Sequence, residues 1–303
     1  MNSFNKIIFF NHWHNGDIHY SRGFCNDVIT QLGDQYEYFY AHKQKPYIVE
    51  DVCSHLWPVE LPDMMYHYEL KTDTLFINTW VGLNNTSYYK SVGYVGLESM
   101  YQIFTDTYTK LNNEFNLNLK INNNKDTYLP EINFDKLTTF SKQTPVQIYG
   151  KKIILVCNNF CNSNQAYNYD FTPIIELASQ LFPNEVFLVT NKINNFVFSQ
   201  PNVHYIDNLN LNEIGYYGVF AKIIIGRGSG PFCFADTKQT ILNPEISFIG
   251  LGNPDHGGEK SKLHIFWGRL PEGKHLFSVS PDLNEVKDTI ISGIKQHLDS
   301  EKS

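Results

Sequence analysis

The chain opens on an unbroken apolar run, Ile7-Ile8-Phe9-Phe10, and the pattern predicts a buried strand over Lys6 to Phe10. A polar turn follows, Asn11-His12-Trp13-His14-Asn15-Gly16-Asp17. Helical spacing then runs from near Ile18 to Leu32, with Gly33 as its stop. Tyr36 to Ala41 and Thr74 to Trp80 read as further strands. Leu97, Met100, Ile103, Phe104, Leu111 and Phe115 recur at helical spacing within a segment from about Val92 to Leu117. From Asn112 to Pro145 the periodicity fades into polar and proline-punctuated sequence, which predicts a linker or crossing segment.

The second half begins in the same way. Lys152 to Cys157 is an apolar run, and Asn158 to Asp170 a long polar loop. A helix is expected over Phe171 to Phe182, with Pro173 in its first turn. Strands follow at Glu185 to Thr190, Val203 to Ile206, Ala221 to Ile225 and Glu245 to Gly250, interleaved with helices at Leu211 to Phe220 and from Phe232. An amphipathic tail presents Val286, Ile290, Ile294 and Leu298 on one face. Strand–helix alternation of this kind predicts an α/β protein with parallel sheets. We expect two doubly wound Rossmann-like domains, residues 1–147 and 148–303.

Composition narrows the functional classes. The chain has 303 residues, 42% hydrophobic and 18% charged, which excludes a disordered chain or a coiled coil. A net charge of −7 argues against a nucleic-acid partner. No apolar run reaches the length of a membrane span, and the first apolar block is too short for a signal-peptide core. A cytoplasmic protein is expected. The five cysteines are scattered, and Cys157 and Cys161 lack a second Cys/His pair at zinc spacing, so they read as buried thiols.

Two stretches carry candidate chemistry, because ligands in open parallel sheets bind beyond the carboxyl ends of strands. The first is the turn after the opening strand. Asp17 reads either as a general base or as a helix N-cap, and His14 is its rival as base. His12, His14 and His19 do not have the spacing of a metalloprotease helix. The second is Gly226-Arg227-Gly228-Ser229-Gly230-Pro231. It lacks the Gly-Lys-Ser/Thr of a Walker loop, and Arg227 and Pro231 stand where a nucleophile elbow needs glycine. A strand, a turn of small residues and a helix start remain. They read either as an anion site, with Arg227 adding charge, or as a plain tight turn.

These motifs resemble the GT-B glycosyltransferases, and among them the heptosyltransferase-like group (glycosyltransferase family 9). The resemblance rests on the strand that leads into Asn15-Gly16-Asp17, on the strand ending in Gly228-Ser229-Gly230-Pro231, and on Phe248 to Pro254 with its Gly/Pro-rich loop. The chain departs from the group in carrying Gly228 where an acidic residue is usual, and in its His/Asn-rich first turn. The resemblance implies two domains facing a cleft, the acceptor on the first and a nucleotide-sugar on the second. Asp17 then matches the catalytic base, and Ser229 and Gly230 match the phosphate-holding turn. From the strand–turn–helix pattern and the loops at the same sheet edge, donor contacts are expected from Arg227, Gly228, Pro231, Asn159, Lys192, Asp207, His256 and Glu259, and acceptor-side contacts from His12, Asn15, Gly16 and Arg22. Transfer of the sugar to a glycan or glycoconjugate hydroxyl, with inversion and without metal or other cofactor, is the expected activity. A polysaccharide pyruvyl transferase-like enzyme and a non-catalytic nucleotide- or carbohydrate-binding protein are the alternatives. The oligomeric state is left open.

Overall fold

The structure is a computed structural model. It describes residues 4–58, 60–63, 66–80, 97–138, 151–162, 164–192, 196–206, 210–228, 230–253 and 274–299. The chain divides into two compact units, residues 1–139 and 140–303. The boundary expected at 147 falls in 139–150, outside the described residues.

In the first unit, β1 (Lys6–Phe10) leads to α1 (Asn15–Tyr20) and α2 (Arg22–Leu32). Four strands follow: β2 (Glu37–Ala41), β3 (Ser54–Leu56), β4 (Tyr68–Lys71) and β5 (Thr74–Asn78); then comes α3 (Leu97–Phe115). The sheet order is β3-β2-β1-β5-β4. β1 is central because four of its five residues are buried, with parallel partners on both sides: Phe10 lies opposite Ala41 and opposite Asn78. β4 pairs antiparallel with β5, so this sheet is mixed at its edge. Gly33, at φ +65, ends α2 as expected.

Phe24 on α2 stacks on Phe104 of α3, 4.3 Å between ring centroids. The stretch expected to be a linker is largely packed structure. Tyr128, Leu129 and Ile132 are buried, and the backbone of Tyr128 and Leu129 lies directly on α2 at Gly23. A Cβ there would come within 2.5 Å of the Tyr128 carbonyl group, so glycine is what permits the approach.

The second unit holds β6 (Ile153–Cys157), α4 (Thr172–Leu181), β7 (Val186–Val189), β8 (Val203–Tyr205), α5 (Leu211–Phe220) and β9 (Ala221–Arg227). After these come α6 (Gly230–Cys233), α7 (Lys238–Ile241), β10 (Ser247–Leu251), β11 (His275–Ser278) and α8 (Leu283–Asp299). The order β11-β10-β9-β6-β7-β8, parallel throughout, is the doubly wound 3-2-1-4-5-6 arrangement read from its far edge. α8 buries Val286, Ile290, Ile294 and Leu298 in one core with Ile249 and Leu251, so the tail helix covers its own sheet.

Candidate functional site

Each sheet has one place where successive connections leave in opposite directions, and such a switch point opens a crevice at the strand ends. In the first unit it lies between β1 and β5. Both strands end in an asparagine that shapes the exit. The Asn11 Oδ1 accepts the Trp13 backbone N–H at 2.9 Å, and the Asn78 Oδ1 accepts that of Trp80, also at 2.9 Å. These matched side-chain turns bring the two indoles together, stacked with centroids 5.0 Å apart and planes 28° off parallel. Beneath them the buried Tyr40 hydroxyl bonds to Ser21 Oγ at 2.8 Å and Thr79 Oγ1 at 2.6 Å. Thr79 is held in turn on the Phe10 carbonyl.

Asp17 sits in this crevice. α1 starts at Asn15, three residues earlier than the apolar pattern suggests, so Asp17 is the third helical residue and not the cap. Its carboxylate reaches back to accept the His14 backbone N–H at 3.3 Å and is hydrogen-bonded by the Trp80 side chain. Burial raises its pKa above the usual carboxylate value, against the opposing pull of His14 and these hydrogen bonds. The carboxylate thus steadies the helix start from the third helical position instead of the cap, and burial makes it more basic.

The other expected acceptor-side residues divide. His14 is exposed beside Asp17, Asn15 is half-buried and Gly16 is buried. His12 is exposed, with Nε2 3.2 Å from the Pro62 carbonyl. Arg22 requires correction. It lies one helical turn deeper, fully buried, donating to the Asp51 carboxylate and the Ile48 carbonyl, so no acceptor touches it. Asp51 also accepts the Asn133 N–H at 3.0 Å, which makes the ion pair an internal tie between α2 and two loops.

The second switch point lies between β6 and β9. Here the expected role of Arg227 changes. β9 continues through Gly226 and Arg227 instead of breaking at Ile225, and this carries the guanidinium inward. It donates to the carbonyls of Asn158, Asn159, Tyr167 and Tyr169 and lies over the Phe171 ring, 4.4 Å from its centroid. Burial lowers its pKa to about 10, which leaves it charged at neutral pH. Arg227 therefore clamps the loop after β6, with no guanidinium surface offered to a phosphate.

Gly226 is glycine because the Phe232 ring packs on it: a Cβ would sit 2.4 Å from that ring. The Gly228 N–H is not a free amide either, since it donates to the Leu251 carbonyl at 2.8 Å. Pro231 has no N–H. α6 is a single turn, so among the described residues of this segment the anion-binding potential narrows to the amide of Gly230.

The side chain of Asn158 pairs with the backbone of Asn191 through two 2.8 Å hydrogen bonds, fixing the loop that presents exposed Lys192. Asn159 accepts the Thr190 hydroxyl at 2.7 Å. Ser229, Asp207, His256 and Glu259 lie outside the described residues. Among the described residues no three His, Cys, Asp or Glu side chains group as a metal cradle, and no helix is long and apolar enough to cross a membrane.

Trp80 is the contact that sequence reasoning missed. It becomes visible only once β5 is known to lie beside β1.

Two α/β units with their candidate residues at the switch points have the architecture of the GT-B glycosyltransferases, and that is the fold of this chain. E. coli heptosyltransferase WaaC with ADP-2-deoxy-2-fluoro heptose matches at TM-score 0.53 and 7% identity, over 98% of this chain and 99% of that one. WaaC with ADP matches at 0.50 and 7%, over 96% and 98%. The glycosyl transferase family 9 protein from Veillonella parvula gives 0.49 and 10%, over 96% and 90%. No family model and no curated protein matches the sequence.

Proposed function

We propose that the chain is a cytoplasmic glycosyltransferase. It takes a nucleotide-sugar donor at the second switch point and a glycan or glycoconjugate hydroxyl at the first. The observation that carries this reading is Asp17, a carboxylate at a switch point whose pKa is raised by burial. A carboxylate made more basic is suited to take the proton of an acceptor hydroxyl as that oxygen attacks the anomeric carbon. The bond from that carbon to the donor phosphate breaks on the opposite face, and the nucleoside diphosphate leaves. A single displacement of this kind inverts the anomeric configuration, and we propose that it proceeds without a metal.

The departing diphosphate gains charge, and groups aimed at that charge lower the barrier. With Arg227 engaged as a clamp, we assign this work to the Gly230 amide and to Lys192.

The test is a thermal-shift screen against UDP-, GDP-, ADP-, dTDP- and CMP-sugars, followed by turnover of the stabilising donor with Asp17→Asn and His14→Gln in parallel. Donor binding with turnover that collapses in Asp17→Asn supports the reading. Normal turnover in Asp17→Asn with loss in His14→Gln moves the base to His14. Donor binding without turnover in any acceptor mixture favours a binding protein.

A further inference from the structure

Three of the four tryptophans in the chain, Trp13, Trp57 and Trp80, stand just past the carboxyl ends of β1, β3 and β5, at one edge of one sheet. Trp13 is 42% exposed and Trp57 61%. Isolated exposed aromatics are ordinary on protein surfaces. Trp13 differs in being tied at its backbone and stacked on a second indole while staying partly exposed. Its N–H is fixed on Asn11, and its carbonyl accepts from Gln44 Nε2 at 3.3 Å. One ring face is covered by Trp80, which is itself tied to Asn78 and to the Asp17 carboxylate.

We infer that the Trp13–Trp80 stack is the floor of a sugar subsite, in which the open face of Trp13 receives the C–H face of an uncharged pyranose ring of the acceptor. The face of an indole is the negative side of its quadrupole, so it attracts the weakly positive C–H groups of a sugar and repels a carboxylate or phosphate. A pyranose has one face rich in C–H groups and hydroxyls around its rim. Because the floor is already ordered, a ligand meets little cost in fixing it. Trp57 lies two strands from β1, about 10 Å across the sheet. A second aromatic at that spacing suits an acceptor of several sugar units.

This inference rests on the reading that the acceptor binds beside Asp17, and its test separates the two. Methyl glycosides of glucose, galactose, mannose and N-acetylglucosamine, with methyl glucuronide as the charged comparator, are titrated into the full chain while the indole N–H signals are followed by NMR. The expected result is that a neutral glycoside shifts the Trp13 and Trp80 signals and methyl glucuronide does not. Trp13→Ala weakens that binding about tenfold, Trp13→Phe largely retains it, and Asp17→Asn leaves it intact. The subsite is overturned if no neutral glycoside moves these signals, if the glucuronide binds as well, or if Trp13→Ala binds normally. If the glycoside binds through Trp13 but Asp17→Asn retains full transfer, the subsite stands and the assignment of Asp17 falls. If transfer depends on Asp17 while Trp13→Ala keeps its acceptor KM, the reverse holds.

Discussion

The two switch points occupy equivalent places in their sheets and are built from opposite materials. The first keeps its reactive groups at the edge: a carboxylate and an exposed histidine at the start of α1, and stacked indoles placed by two asparagine turns. Its arginine, Arg22, is withdrawn into an ion pair below. The second turns its arginine into scaffolding, with four loop carbonyls gathered around Arg227. One crevice thus keeps its polar groups at the edge, and the other commits its arginine to holding a loop in a fixed shape. A buried guanidinium is a poor sign of an anion site, because its charge is already answered inside the protein.

The largest effect should come from the first switch point. Asp17→Asn keeps the size of the side chain and one acceptor oxygen for the donors of His14 and Trp80, so the chief change is loss of the basic oxygen. We expect turnover to fall about 100- to 10,000-fold with donor affinity unchanged. In the parent chain, kcat/KM should drop as pH falls through the raised Asp17 pKa, because the ionised form is the base. The stability effect has the opposite sign. A carboxyl group with a raised folded pKa binds more protons folded than unfolded, so its ionisation weakens the fold as pH rises. Asp17→Asn is therefore expected to melt at or above the parent temperature at pH 7, and that gap should close in acid. A clear fall in Tm at pH 7 would contradict it.

Next in size is Arg227→Met, which leaves four carbonyls facing an apolar side chain. Leaving a buried acceptor unpaired costs about 1–3 kcal/mol, so a loss of several kcal/mol is expected by denaturant unfolding. Arg227→Lys should recover little, since one ammonium cannot span carbonyls on both arms of the loop. A lysine variant with native stability and weakened donor binding would restore Arg227 as a phosphate ligand and break the contrast.

How far the sequence carries this comparison depends on the physics of each element. β1 and β6 are legible because strands buried on both faces must be apolar throughout. β3, β4 and β11 escape notice: they are three or four residues long and only partly buried, so pairing and not pattern makes them strands. Gly226 reads as a turn glycine but is small because Phe232 lies against it, a contact that no local rule contains. Asp17 is legible as a candidate from strand, Gly-Asp and helix. Trp80, 67 residues beyond Trp13, is not, because their meeting follows from the order β1 beside β5.

A smaller effect tests how far the first sheet's surroundings respond to acid. Burial lowers the pKa of His42 to about 3, helped by nearby His55 and Arg22, and that of His67 to about 4, with Lys110 assisting and Asp106 opposing. Both stay neutral in the fold while the unfolded chain takes up protons below about pH 6.5. Stability is therefore complete above that pH and falls as pH drops towards the folded values, by about 2 kcal/mol per histidine at pH 5. His42→Asn should remove about half of that slope. An unchanged slope would show that the acid response lies elsewhere in the chain.

The smallest expected effect concerns the cation of the second switch point. Lys192 is exposed, and its loop is fixed by the Asn158–Asn191 pairing, so a phosphate can reach its ammonium group without rearranging the loop. An exposed ion pair contributes modestly, up to about 1 kcal/mol. Lys192→Gln should accordingly weaken donor binding about three- to fivefold by calorimetry, with the loss shrinking as salt is raised. Stability should not change, because Lys192, unlike Arg227, is exposed and sits outside the carbonyl clamp. This contrast is the sharpest form of the comparison. If Lys192→Gln binds donor as the parent does at low salt, the diphosphate is held by backbone amides alone. The second switch point would then contain an arginine and a lysine with neither acting on the ligand.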